Sequence, residues 1–186
     1  MVPLTALWLP ILLAAIGVFV VSSITHMVLT YHYSDYQRHP KEDDLRAAIR
    51  GVGVEPGNYA FPCVKSNKEM GSPETMEKYN QGPVGFMNIM PSGPPAMGKS
   101  LALWFVYCLI MGVFVAYIAG RTLTAGTDYL AVFRIVGAVA FVGYGVGNMV
   151  DSIWKAQAWS TTAKHTFDGL LYALVTAGVF GWLWPS

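Results

Sequence analysis

Four long apolar runs leave this chain few folds to choose from. Residues 4–29, 100–120, 129–150 and 167–184 together hold one basic residue, Arg134, and one acidic residue, Asp168. Each run is close to the roughly 20 apolar residues that a helix needs to cross a hydrocarbon core about 30 Å thick. Inside a bilayer every backbone N–H and C=O must be satisfied within the element, so each run is expected to be a helix. The composition agrees, since 54% hydrophobic and 12% charged residues are far from the balance of soluble domains. The first run has no basic residue ahead of it and no small-residue cleavage site behind a short core, so it reads as a retained span rather than a signal peptide.

Charge is concentrated in residues 31–99, which carry eight of the 12 basic and eight of the 11 acidic residues. The expected fold is therefore an all-α integral membrane protein, four transmembrane helices with a small mixed α/β cap inserted between helices 1 and 2. Residues 1–30 supply helix 1, 31–99 the polar cap, 100–120 helix 2, 121–154 a short loop and helix 3, and 155–186 a short loop and helix 4. Within the cap, Pro40 followed by Glu42, Asp43 and Asp44 opens a helix that Gly51 can end, and Ser72 with Pro73 and Glu74 opens a second. Residues 59–64 and 84–90 are candidate strands.

An even number of spans puts both termini and residues 121–128 on one side, with the cap and residues 151–165 on the other. Arg38, Lys41, Arg46, Arg50, Lys99, Lys155 and Lys164 crowd the cap side near helix ends, against Arg121 alone on the other. The positive-inside rule then makes the cap cytoplasmic and the termini non-cytoplasmic, as in a bacterial inner membrane.

Small residues recur every four positions in helix 2 (Cys108, Gly112, Ala116, Gly120) and helix 4 (Gly169, Ala173, Ala177, Gly181), and helix 3 carries Gly143 and Gly147. Such ridges let backbones approach closely in lipid, where dispersion and interhelical hydrogen bonds replace the hydrophobic effect. One bundle of four helices can use all three ridges, or a surplus ridge can face a second subunit or a second copy. Cys63 in the cap and Cys108 within a span are not expected to form a disulfide.

Residues 93–100 match the phosphate-loop pattern G-x-x-x-x-G-K-[ST], but the context is wrong. Pro94 and Pro95 remove N–H donors from the cradle, and the helix that follows is a span. A linker with Ser100 as helix N-cap is expected, and no nucleotide or nucleic-acid binding.

All four histidines, His26, His32, His39 and His165, fall on the cap side, as do Asp35, Asp151 and Asp168. Cys63 and Met70, Met76, Met87, Met90 and Met97 lie in the cap, and soft sulfur ligands beside imidazoles suit a metal such as copper. The metal candidates are His26, His32, Asp35, Cys63, Asp151, His165 and Asp168. The competing arrangement is local: Asp151 pairs with Lys155 and Lys164 with Asp168, each at i, i+4. No nucleophile, base and orienter assemble into a catalytic set. The sequence alone thus favours a non-catalytic multi-pass protein, a subunit or assembly partner of a membrane complex, with ion or proton transport or copper handling as the rival.

Overall fold

The structure is a computed structural model that describes residues 1–186. It divides into two compact units, the first made of Met1–Asp35, Ala96–Ile153 and Gln157–Ser186, the second of Tyr36–Pro95 with Trp154–Ala156.

In the first unit the apolar runs form helices. A 3-10 turn (Leu4–Leu7) leads into α1 (Trp8–Ser23), which relaxes into a π-helical turn over Ile24–Val28. Because α1 is apolar on every side, its neighbours decide what is buried: Ala14, Ala15, Val18 and Ser22 face inward, and Trp8, Ile16, Val20 and Ile24 face out.

The second unit runs from α2 (Glu42–Gly51) through β1 (Gly57–Phe61), α3 (Asn67–Met70) and α4 (Pro73–Gln81) to β2 (Gly85–Ile89). The two strands pair antiparallel, with Gly57 opposite Ile89 and Phe61 opposite Gly85. Ser72 Oγ accepts the Thr75 N–H with Pro73 behind it, so the expected start of α4 is built from its cap. The short α3, not anticipated, uses the same device, as Ser66 Oγ accepts the Glu69 N–H.

The remaining helices return to the first unit. α5 (Met97–Thr122) begins before Ser100, with Ala96 at the N-cap position. Ser100 is therefore inside the helix, and its N–H donates to Ala96 O at 3.2 Å; the expected serine cap is not used. α6 (Tyr129–Tyr144) is capped by Asp128, whose Oδ1 accepts the N–H groups of Leu130 and Ala131. It stops at Gly145, passes through a 3-10 turn (Val146–Asn148) and resumes as α7 (Met149–Lys155). The last helix, α8 (Trp159–Trp182), starts well before residue 167, where the apolar run begins. Three segments are long and apolar enough to cross a membrane: Leu4–Val28, Met97–Thr122 and Tyr129–Lys155. α8 is of similar length but carries Lys164, His165 and Asp168 in its first half.

Helix α1 packs on α5 and α8, and α6 packs on α5 and most extensively on α8. The small-residue positions sit at these contacts. A Cβ on Gly112 would lie 3.1 Å from Ile11 Cγ2, one on Gly120 2.5 Å from Val2 O, and one on Gly169 2.5 Å from Gly145 Cα. Ala116, Ala173 and Ala177 are buried, and Gly181 lies against the Tyr129 ring. Helix 3 differs from the expected ridge. Its inward face is Val132, Val136, Ala140 and Tyr144; Gly143 is exposed apart from Met111, and a Cβ on Gly147 would meet open space. Gly143 is one position off the inward stripe of α6, and Gly147 lies past the break at Gly145, where the α-helical register ends.

The two ends of the chain lie against the last turn of α5 and the loop that follows it. Val2 N–H donates to Gly120 O at 2.8 Å, Gly126 N–H to Pro185 O at 2.9 Å, and Trp184 Nε1–H to Thr124 O at 2.9 Å.

Candidate functional site

At the opposite end, three segments of the first unit bring polar side chains together. The π turn after α1 presents Thr25 and His26, and an extra residue per turn of this kind is often found where a helix serves a site. A 3-10 turn (Tyr31–Ser34) then presents Tyr31, His32 and, just beyond, Asp35. On α8, Lys164, Asp168 and Tyr172 follow one another at four-residue spacing and so share a face, with His165 beside them.

Asp168 is the centre. It is 2% exposed, and its carboxylate accepts a hydrogen bond from Tyr31 OH on Oδ1 and lies 2.8 Å from His32 Nε2 on Oδ2. The same Oδ2 is 4.0 Å from His26 Nε2. The other side of the His32 ring faces a second carboxylate, with Nδ1 2.6 Å from Asp35 Oδ2. A neutral imidazole carries one N–H, so two carboxylate contacts on one ring call for a further proton or for a cation beside one nitrogen.

Lys164 anchors the second carboxylate. Its three N–H groups meet three acceptors, Asp35 Oδ1, Ser34 Oγ and the Tyr31 carbonyl, each at 2.7 Å. Burial works to raise the Asp35 carboxyl, but the hydrogen bonds and charges of Lys164 and His32 outweigh it and hold it below its ordinary value. Tyr31 goes the other way: burial, then the hydrogen bond to Asp168 and its charge, push the phenol up, so it remains a donor to that carboxylate. On the far side, Thr25 Oγ1 lies 2.9 Å from His26 Nδ1 and 3.2 Å from Tyr172 OH. The His26 and His32 rings stack at 4.2 Å, and those of His32 and His165 at 5.1 Å. No buried side-chain nitrogen or oxygen lacks a partner.

One ligand atom from each of His26, His32, His165 and Asp168 lies within 4.8 Å of the others, so the group can hold a metal ion. Zinc–nitrogen bonds of about 2.0–2.1 Å at tetrahedral angles put ligand atoms roughly 3.4 Å apart, so small side-chain rotations suffice. The surroundings fit as well. Asp35 on His32 Nδ1 and Thr25 on His26 Nδ1 leave each Nε2 turned toward Asp168, as partners of metal-bound histidines do.

Of the seven candidate ligands, His26, His32, His165 and Asp168 come together, and Asp35 joins them through His32 and lies 3.8 Å from His165 Nε2. Asp151 stands on α7 outside this group, and Cys63 is an exposed free thiol in the second unit. Cys108 is also free, and buried. The expected i, i+4 pair of Lys164 with Asp168 is corrected: the ammonium turns to Asp35 because residues 31–35 offer it three acceptors, and Asp168 is left to Tyr31 and His32. Tyr31, Thr25 and Tyr172 were not foreseen. The Tyr31–Tyr33 cluster looks like an interfacial belt in sequence, and only Tyr31 standing next to His32 hinted at more. Comparison with known proteins finds no family model, no curated protein and no solved structure that matches this chain.

Proposed function

We propose that the protein is a four-span membrane protein that holds a divalent transition-metal ion at one end of its helices, through His26, His32, His165 and Asp168. The convergence of those four ligand atoms within 4.8 Å carries the reading. Three imidazoles and one carboxylate form a borderline-to-hard donor set, suited to zinc, divalent copper or iron rather than to monovalent copper. Cys63, the thiol that favoured copper, is exposed in the second unit and is not part of the group.

Four spans are supported by the meeting of both chain ends with the end of α5 and the loop after it, since a last helix that returns to that end crosses as far as the others. The polar half of α8 is no obstacle, because Asp168 and Thr162 are buried within the unit. The excess of Lys and Arg near the helix ends supports a cytoplasmic site. A role as a non-catalytic subunit drew on surplus ridges. Gly112, Gly120 and Gly169 are instead taken up by contacts within the chain, so metal handling is the stronger reading.

Elemental analysis of protein purified in detergent, followed by titration of zinc and copper into chelator-treated protein, tests this. One equivalent per chain is expected, lost together in His32→Ala and Asp168→Asn. Stoichiometry near zero, or retention unchanged in both variants, overturns it.

A further inference from the structure

A cavity of about 650 Å³ opens beside the cluster, between the ends of α1, α5, α6 and α8. That is within the usual range for small-molecule sites, roughly 300–1,000 Å³. Its wall has two kinds of surface. One is aromatic: Trp104, Tyr107, Tyr144 and Tyr172 all line it. Trp104 and Tyr107 stack at 5.4 Å, whereas Tyr144 stands edge-on to Tyr107 at 5.8 Å and to Tyr172 at 5.7 Å. The other surface is polar and consists of His26, His165 and Asp168. The two imidazoles there are 44% and 37% exposed, which leaves ring edges for a guest.

We infer that this cavity binds a neutral, membrane-soluble phenol or quinol, its ring among Trp104, Tyr107, Tyr144 and Tyr172 and its hydroxyl at the His26–His165–Asp168 end. The ring is selected by the walls, because aromatic groups favour offset-stacked or edge-to-face neighbours with centroids about 4.5–7 Å apart. The hydroxyl is selected by the polar end, since it both donates and accepts and can meet an imidazole nitrogen, the carboxylate or a metal that they hold. An anion finds no counter-charge, since no Lys or Arg lines the cavity and Lys164 is engaged by Asp35, and the one carboxylate, Asp168, is already taken up by Tyr31 and His32. Entry from lipid is open, as Met27, Met97 and Leu101 line the mouth and are exposed on the outer surface. The inference goes beyond the metal reading and does not depend on it, because the walls and the polar end are present with or without an ion.

The test is equilibrium binding of radiolabelled 4-hexylphenol to the full chain in lipid nanodiscs, with empty discs as background and metal content measured on the same samples, before and after chelation. Saturable binding of one molecule per chain is expected, displaced by hydroquinones and at least tenfold less well by decanol or decanoate. Tyr107→Ala, which removes one aromatic wall, should weaken binding roughly tenfold. Leu101→Trp, which fills the mouth, should abolish it, and Phe114→Ala on the outer face of α5 should leave it unchanged. Uptake no greater than by empty discs, displacement by decanoate as effective as by hydroquinone, or full binding by both cavity variants overturns the inference. Phenol binding by protein that holds no metal before chelation and takes none up on titration counts against the metal reading alone.

Discussion

His32 and Asp168 lie 136 residues apart in the chain and meet at 2.8 Å, with the carboxylate 2% and the imidazole 9% exposed. Two groups taken out of water in this way depend on each other, because removing one leaves the other buried with too few partners. His32→Ala is therefore expected to destabilise the protein by about 3–5 kcal/mol, the usual cost of breaking a buried pair. Asp168→Asn should cost a similar amount, and the double variant much less than the sum. Denaturation of the four proteins in detergent checks it. Additivity to within roughly 0.5 kcal/mol would mean that the pair is not coupled.

Acid should weaken the anchor next to it. Asp35 is held below its ordinary value of 3.8 in the folded protein, chiefly through Lys164 and His32 acting against burial. A lowered carboxyl contributes stability that is complete above the unfolded value and is lost as the pH falls through the folded one. Thermal midpoints of the wild type should therefore fall below about pH 4, and Asp35→Asn should show lower stability at neutral pH with a flatter acid limb. An identical acid limb in the two proteins would remove Asp35 from the account.

What could be read from sequence divides along physical lines. Spans announce themselves through composition, so α1, α5 and α6 were visible as apolar runs, and the serine and proline that start α4 named its cap. The first two turns of α8 were hidden because hydropathy averages over all sides of a helix. Thr161, Thr162 and Asp168 are polar yet buried, satisfied by partners such as Ser152, whose Oγ is 2.5 Å from Thr162 Oγ1. In the cluster, four of the candidates named by residue type, His26, His32, His165 and Asp168, do come together, but spacing misdirected the pairing. Lys164 and Asp168 are ideal helical neighbours, and only the folded return of residues 31–35 offers the lysine a better set of acceptors. Asp151 shows the converse, since placement at the same level of the chain topology did not bring it into the group.

A close backbone approach between α6 and α8 yields a contrast between two glycines. A Cβ on Gly169 would come within 2.5 Å of Gly145 Cα and 2.8 Å of the Tyr144 carbonyl carbon, both of which are backbone atoms that cannot rotate away. A Cβ on Gly147, two residues further along, meets nothing within 4 Å. Gly169→Ala is expected to destabilise by about 1–3 kcal/mol, as overpacking does, and Gly147→Ala to fall within roughly 0.5 kcal/mol of the wild type. Equal thermal midpoints for the two variants would place the α6–α8 contact elsewhere.

The proposed topology makes a prediction that needs no site at all. If α8 crosses the membrane, the chain has four spans, and its two ends share a side with the end of α5, where Val2 meets Gly120, and with the loop after it, where Gly126 meets Pro185. The excess of basic residues on the opposite side then assigns the ends to the non-cytoplasmic face. A reporter that is active only outside the cytoplasm, fused after Ser186, should therefore be active. The complementary probe is already in the chain, since Cys63 is exposed in the second unit and Cys108 is buried. An impermeant maleimide added to intact cells should leave Cys63 unlabelled and should label it once the membrane is opened. A silent reporter together with an unlabelled Cys63 would mean that α8 does not cross and that three spans separate the two ends. An active reporter with Cys63 labelled from outside would place both on the same face, so that one of the three helices after the cap does not cross. A silent reporter with Cys63 labelled from outside would keep four spans but invert them, so only an active reporter with a protected Cys63 leaves both the four-span arrangement and the cytoplasmic cluster standing.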